Sequence, residues 1–175
     1  MQIIKPINII ICGVGGQGIN TLNRKLVSTA QANGFICKSK VFKGGAQTLG
    51  TVYSMIRIFP KDEKYENYSA EIPKTEADVV FAFEPWEALR FVSFYSQKTH
   101  LLVNSKQVPL NHMIDSENLD VQFKKLASFD LNLYFDSYEE QCSKPDAEYK
   151  YMNMYMLKIA LDKAILPPEF KEALG

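Results

Sequence analysis

Residues 9–18 read Ile-Ile-Ile-Cys-Gly-Val-Gly-Gly-Gln-Gly, an apolar strand that runs directly into a Gly-x-Gly-x-x-Gly turn on Gly13, Gly15 and Gly18. Gly16 and Gln17 complete the turn, and Ile19 to Ala32 continue with helical spacing. Strand, glycine turn and helix in that order are what a Rossmann-type unit requires. Glycine permits the tight turn and lets a phosphate or another backbone approach, while a helix N-terminus offers unpaired N–H groups to an anion. Bulk at Gly18 is expected to press on the sheet. The motif predicts an α/β, Rossmann-like fold: a single domain with a mostly parallel sheet and helices on both faces.

The turn does not name a ligand. A dinucleotide-binding unit carries an Asp or Glu about twenty residues further on, at the end of its second strand, to hold the ribose hydroxyls. Here the second strand is predicted over 35–42 and is rich in Lys38, Ser39 and Lys40, with Lys43 just beyond. The first acid of the chain is Asp62. This argues against NAD. NADP is less disfavoured, because lysines in that place can take a 2′-phosphate.

Charge is unevenly spread along the 175 residues, although the net charge is zero. Residues 1–61 hold Lys5, Arg24, Lys25, Lys38, Lys40, Lys43, Arg57 and Lys61 and no acid, so a positive surface is expected beside the glycine turn. That surface suits a solvated face, an anionic cofactor or an acidic partner; nothing interleaves aromatic and basic residues as a nucleic-acid reader does. The three cysteines, Cys12, Cys37 and Cys142, are widely spaced without a Cys-x-x-Cys, which supports neither a cluster nor a disulfide framework. Cys12 ends an apolar strand and reads as a small buried hydrophobe. His100 and His112 have no neighbouring ligand types, so no metal site is expected. Lys5 and Pro6 interrupt any signal-like run, no stretch reaches the about eighteen apolar residues of a membrane span, and a cytoplasmic location is expected.

Further along, Ile19, Leu22, Leu26 and Ala30 share one helical face, with Asn23 and Val27 at its margin and Asn33-Gly34 as the stop. A second glycine-bearing loop, Lys43 to Gly50, leads to a strand over 52–59. Residues 60–76 read as a polar loop with an exposed tip at 62–67. A buried strand over 77–83 delivers Glu84, Pro85, Trp86 and Glu87, with Pro85 suited to the first position of a helix whose inward face is Ala88, Leu89, Val92 and Tyr95. Leu101 to Val103 form the next strand, ending at Asn104. A helix over 119–127, a strand over 131–135 and a long helix over 151–166, stopped by Pro167-Pro168, follow. The last is apolar on nearly every side, which suits core packing or a subunit interface.

In parallel sheets, ligands and partners sit beyond the carboxyl ends of the strands. Gly13, Gly15, Gly16, Gln17, Gly18, Gly45, Gln47, Gly50, Glu84 and Asn104 are therefore expected to converge on one edge that receives a ligand or a partner. No catalytic set is evident. Glu84 and Glu87 read first as acids at a helix N-terminus, no nucleophile has a base partner, and the P-loop pattern is absent.

Several segments in order carry a family likeness: Gly13-Val-Gly-Gly-Gln-Gly-Ile19, Gly45-Ala-Gln47 leading into Ser54-Met-Ile-Arg-Ile58, Ala77-Asp-Val-Val-Phe-Ala-Phe-Glu-Pro-Trp-Glu-Ala-Leu-Arg90, Val103-Asn104, Asn153-Met-Tyr-Met-Leu157 and Leu166-Pro167. The chain resembles the gamma subunit or fused gamma domain of 2-oxoacid:ferredoxin oxidoreductases, most nearly the small beta subunit of the indolepyruvate enzyme. The resemblance implies one gamma-type domain over residues 1–175 and a non-catalytic role in oxidative decarboxylation of a 2-oxo acid, such as indolepyruvate, to acyl-coenzyme A. It implies that this chain alone binds no cofactor. Thiamine diphosphate and iron–sulfur clusters would reside in a larger partner subunit that passes electrons to ferredoxin, with coenzyme A at the interface. Membrane and nucleic acid have no implied part. Two positions depart from the family pattern: Thr48-Leu49 follow Gln47 where Arg-Gly is usual, removing a forked donor, and Lys158 stands where a small residue is usual. The residues alone leave a second reading, a free-standing nucleotide-binding module for NADP or coenzyme A.

Overall fold

The structure is a computed structural model that describes residues 5–44, 50–108, 116–128 and 130–175. From the N-terminus, β1 (Ile7–Val14) leads through the glycine turn to α1 (Ile19–Ala32), followed by β2 (Ile36–Lys43) and β3 (Thr51–Phe59). Then come β4 (Val79–Ala82), α2 (Pro85–Arg90), β5 (His100–Asn104), α3 (Ser116–Ala127), β6 (Asn132–Asp136), α4 (Tyr138–Cys142) and α5 (Met152–Asp162). A 3-10 segment, Pro168–Leu174, closes the chain.

The six strands form one sheet in the order β2-β3-β1-β4-β5-β6. β1, β4, β5 and β6 pair in parallel, whereas β3 is antiparallel to both β1 and β2. The mostly parallel sheet is therefore present, with β3 alone running against the rest. Its insertion separates β2 from β1, a departure from the simple Rossmann unit in which the strand after the first helix lies beside the first strand. The cause is local. A connection too short for a crossover joins β2 to β3, so the two fold back on each other and β3 takes the place beside β1.

Side-chain alternation in the central strands builds two cores. Ile9 and Ile11 of β1 face α1, α5 and the C-terminal segment, in a cluster with Leu22, Leu26, Phe81, Met156, Leu157 and Phe170. Ile10 and Cys12 face the other way, with Val80, Ala88, Leu101, Leu119 and Phe123 under α2 and α3. Helices cover both faces, as the apolar runs require.

The helix ends explain where the sequence reading holds and where it fails. α1 stops at the expected Asn33-Gly34: Gly34 has φ 78°, and the N–H groups of Gly34 and Phe35 return to the carbonyls of Gln31 and Ala30. α5 ends at Asp162, four residues before the expected Leu166. Ala164 adopts φ 53°, and Ala164 and Ile165 donate to Leu161 and Ala160, the same closing motif built without glycine. A C-cap on alanine has no sequence signature, which is why the prolines misled. α2 likewise ends at Arg90, leaving Val92 39% exposed rather than facing inward. The loop over 60–76 is pinned rather than projecting. Tyr65 stacks on Phe59 at 4.8 Å, and buried Arg57 binds Asn8 Oδ1 at 3.1 Å and the carbonyls of Ser69 and Glu71.

Gly18 does not face the sheet. It has φ 89°, and a Cβ there would stand 2.5 Å from Nδ2 of Asn153 on α5, whose amide donates to the Gly18 carbonyl at 3.2 Å. The close approach belongs to Gly13 instead, where a Cβ would lie 3.0 Å from Phe83 Cβ at the end of the neighbouring strand and 3.5 Å from Ile19 Cδ1 of α1. Gly18→Ala is expected to lose about 1–3 kcal/mol from backbone strain and displacement of Asn153. Gly15→Ala, whose Cβ would meet nothing nearer than 3.9 Å, should melt close to the parent. Equal thermal midpoints for the two variants would contradict the α1–α5 contact.

Candidate functional site at the carboxyl edge of the sheet

The connections from β1 and β4 depart to opposite sides, so the sheet has its topological switch point between these two parallel strands. Open α/β folds bind ligands in the crevice above such a point. Here the crevice is spanned by a side chain. Gln17 Oε1 accepts from the Val14 N–H at 2.7 Å while its Nε2 donates to the Phe83 carbonyl at 3.2 Å, joining the ends of β1 and β4. Asn104, at the end of β5, donates to the same Phe83 carbonyl at 3.4 Å and accepts from the Glu139 N–H at 3.2 Å. The Gly15 N–H donates to the Gly50 carbonyl at 3.1 Å, and the Gln17 N–H to Val14 at 3.2 Å. The Gly15 and Gln17 N–H groups of the turn are thus taken up within the chain.

The expected residues divide accordingly. Gly13, Gly15, Gly16, Gln17, Gly18, Gly50, Glu84 and Asn104 do meet at this edge, whereas Gly45 and Gln47 lie outside the described residues. Lys38, Lys40 and Lys43 do not join the glycine turn, because β3 lies between them and β1. Lys38 instead donates to the Glu66 carbonyl at 2.6 Å, and Lys40 stands 3.8 Å from Glu71. Arg57, counted above toward a basic surface, is buried. Asn153, quoted above only within a family-like segment, is the participant that no residue rule assigned to this edge; a polar residue in the first turn of a mostly apolar helix was its further signal. Beside the turn, Gly16 and Gln17 form one wall of a groove of about 540 Å³ completed by Lys106, Glu139, Lys150 and Tyr151. Lys106 pairs with Glu139 at 2.8 Å, and Tyr151 is 74% exposed. Such a rim offers cations and an aromatic face to a docking surface or an anionic group.

Beneath the edge lie two carboxylates. Glu84 caps α2, its Oε2 accepting from the Glu87 N–H at 3.0 Å, and Pro85 occupies the first helical position as expected. Glu87 Oε1 accepts from Thr51 Oγ1 at 3.0 Å and Arg90 Nε at 3.1 Å. Burial raises both carboxyls above their ordinary value. For Glu84 the N–H groups of Glu87 and Trp86 oppose that rise, and for Glu87 the Arg90 charge does. Burial also pushes the neighbouring Cys12 thiol well above its ordinary value, with the Glu87 and Glu84 charges adding to the effect. Cys12 is therefore a packed thiol rather than a nucleophile. The cap and the ion pair engage one oxygen of each acid, while Glu84 Oε1 and Glu87 Oε2 lie buried without a hydrogen-bond partner among the described residues.

These shifts set a pH dependence. The native chain keeps protons on Glu84 and Glu87 that the unfolded chain releases, so their contribution is full below the ordinary value of about 4.5 and declines as pH rises through the raised native values. Glu84→Gln retains an acceptor for the Glu87 N–H and removes one of the buried charges. Its stability should fall less steeply than the parent's from pH 4.5 to 7 in chemical denaturation; Asp78, raised mainly by burial, keeps part of the slope. An unchanged slope would contradict a buried, charged cap.

Comparisons with known proteins agree with this architecture. The chain is 35% identical over 106 residues to indolepyruvate oxidoreductase subunit IorB of Thermococcus kodakarensis, a match covering 61% of this chain and 50% of that protein. It thus spans about half the length of the curated relatives it matches. Among solved structures, pyruvate oxidoreductase subunit PORC of Thermotoga maritima shares the fold with a TM-score of 0.59 at 18% identity, over 97% of this chain and 93% of that one. The 2-oxoglutarate:ferredoxin oxidoreductase of Magnetococcus marinus, with 2-oxoglutarate, coenzyme A and succinyl-CoA bound, gives 0.56 at 15% identity, over 97% of this chain but 26% of its own. The pyruvate ferredoxin/flavodoxin oxidoreductase family model matches residues 8–174. Residues 8–174 carry that family's pattern through both cores and the glycine edge, and the chain belongs to the pyruvate ferredoxin/flavodoxin oxidoreductase family.

Proposed function

We propose that this chain is the non-catalytic, gamma-type subunit of a 2-oxoacid:ferredoxin oxidoreductase, with indolepyruvate or a related aryl or branched 2-oxo acid as substrate. The single observation that carries the reading is the family match across 8–174 joined to 35% identity with an indolepyruvate oxidoreductase subunit. The site chemistry supports it. Gln17 and Asn104 are engaged in holding strand ends, and one oxygen each of Glu84 and Glu87 serves a helix cap and an ion pair. The family resemblance implies that a gamma-type chain carries neither redox cluster nor thiamine diphosphate. Thiamine diphosphate and clusters are accordingly assigned to a larger partner subunit, which would pass electrons to ferredoxin.

The carboxyl edge then serves as the surface placed against that partner. Tyr151, Lys106 and Lys150 around the groove beside Gly16 supply an aromatic face and cations to whatever closes over it. Coenzyme A, which a structural neighbour binds, is proposed to approach at this interface, with its phosphates toward these lysines. No helix among the described residues is long and apolar enough to cross a membrane, in keeping with a soluble cytoplasmic assembly.

Purified by itself, the chain should be colourless and should not decarboxylate indolepyruvate, pyruvate or branched 2-oxo acids. Isolated anaerobically from its own cells through an affinity tag, it should bring with it a larger chain that contains thiamine diphosphate and shows iron–sulfur absorbance. Cluster absorbance or turnover by the single chain would overturn the subunit assignment.

A further inference from the structure

Away from the carboxyl edge, the outer rim of the sheet is open. β2 is the terminal strand, eight residues long, and its backbone bonds among the described residues run to β3 alone. Long open edges invite strand pairing, and proteins ordinarily blunt them with charge, proline or a covering segment. β2 has lysines but no proline. Its side facing α1 forms a preformed groove of about 680 Å³, bordered by Thr21, Arg24, Lys25, Ser28, Ser39 and Val41. Asn23 fixes the floor, donating to Ser39 Oγ at 2.6 Å and to Ser54 Oγ at 2.5 Å, so α1 cannot swing away from the strand. Val41, at 37% exposure, leaves an apolar patch in the middle.

The charge around this groove has one sign. Arg24, Lys25 and Lys43 make no ion pair among the described residues. No acid lines the groove, and Glu66 and Glu71 meet Lys38 and Lys40, which alternate to the other face of β2. A second copy of the chain fits poorly, because pairing β2 with β2 would set lysines against lysines, which is destabilising across strands. We propose that the β2 edge is a docking site for an acidic, extended segment of a different protein chain, which adds to the sheet as a seventh strand. Its backbone would pair along Ile36–Lys43, its carboxylates would meet Arg24, Lys25 and Lys43, and an apolar side chain would cover Val41. The proposal rests on the edge and its charge, and stands apart from the assignment of the carboxyl edge.

The test uses the full chain and a synthetic eight-residue peptide that carries Glu, Val and Glu at successive positions of one face, with Thr between them. Amide hydrogen exchange should slow along 36–43, and Arg24→Glu with Lys25→Glu should weaken peptide binding at least tenfold while leaving the melting curve in place. The same peptide with alternate backbone amides N-methylated keeps its charge but cannot pair, and should lose the protection. Undiminished binding by the methylated peptide, or by the charge-reversed protein, would overturn the proposal. So would equal protection from a single-stranded oligonucleotide, or protection that grows with protein concentration in the absence of peptide.

Discussion

The Gln17 side chain bonds the Val14 amide on one side and the Phe83 carbonyl on the other, and the arrangement of the whole carboxyl edge follows from that bridge. It requires an absent side chain at Gly13, where a Cβ would stand 2.6 Å from Gln17 Oε1. Phe83, so placed, also accepts from Asn104, which in turn receives the first turn of α4 through Glu139. Gly18 clears space in the same way for Asn153, and thereby seats α5 against the start of α1. A turn whose glycines elsewhere admit a phosphate here admits two amide side chains of its own chain. Neutral hydrogen bonds of this kind are each worth only about 1 kcal/mol net. Their combined effect is to fix the relative position of three strand ends and two helices.

That internal use of the turn explains why its pattern fixed the architecture without naming a ligand. Strand, turn and first helix were readable because each rests on a local rule: an apolar run, glycines at positive φ, a 3.6 periodicity and an Asn-Gly stop. The two cores were readable for the same reason, since β-strand alternation separates Ile9 and Ile11 from Ile10 and Cys12. What escaped were features decided by tertiary partners. The short connection turns β3 antiparallel to β2, but which of the two strands pairs with β1 is decided by contacts distant in sequence. The closing of α5 on Ala164 relies on packing to offset an unfavourable φ. Gln17 and Asn104 were correctly placed at the edge, yet their partners are main-chain groups, which the residue letters do not display.

The electrostatics separate two surfaces that the sequence presented as one basic half. Arg57 turns inward and holds the 60–76 loop over Phe59 and Tyr68, while Lys38 and Lys40 lean onto that same loop. Exposed Arg24 and Lys43 and the half-buried Lys25, none of them in an ion pair among the described residues, lie on the α1 side of β2. The carboxyl edge has its own cations, Lys106 and Lys150, contributed from the other end of the sheet. On the proposed reading, such separation lets two differently placed charged surfaces engage two neighbours without competing.

Gln17 spans the switch-point crevice, which on the proposed reading makes the chain an assembling subunit rather than a dinucleotide binder. Titration calorimetry of the isolated full chain with NADP, and with NAD as a control, tests it most directly. The bridge predicts no saturable heat with either up to millimolar concentration. Stoichiometric NADP binding at micromolar affinity, with no partner present, would contradict it and return the glycine turn to the role its pattern has in nucleotide-binding folds.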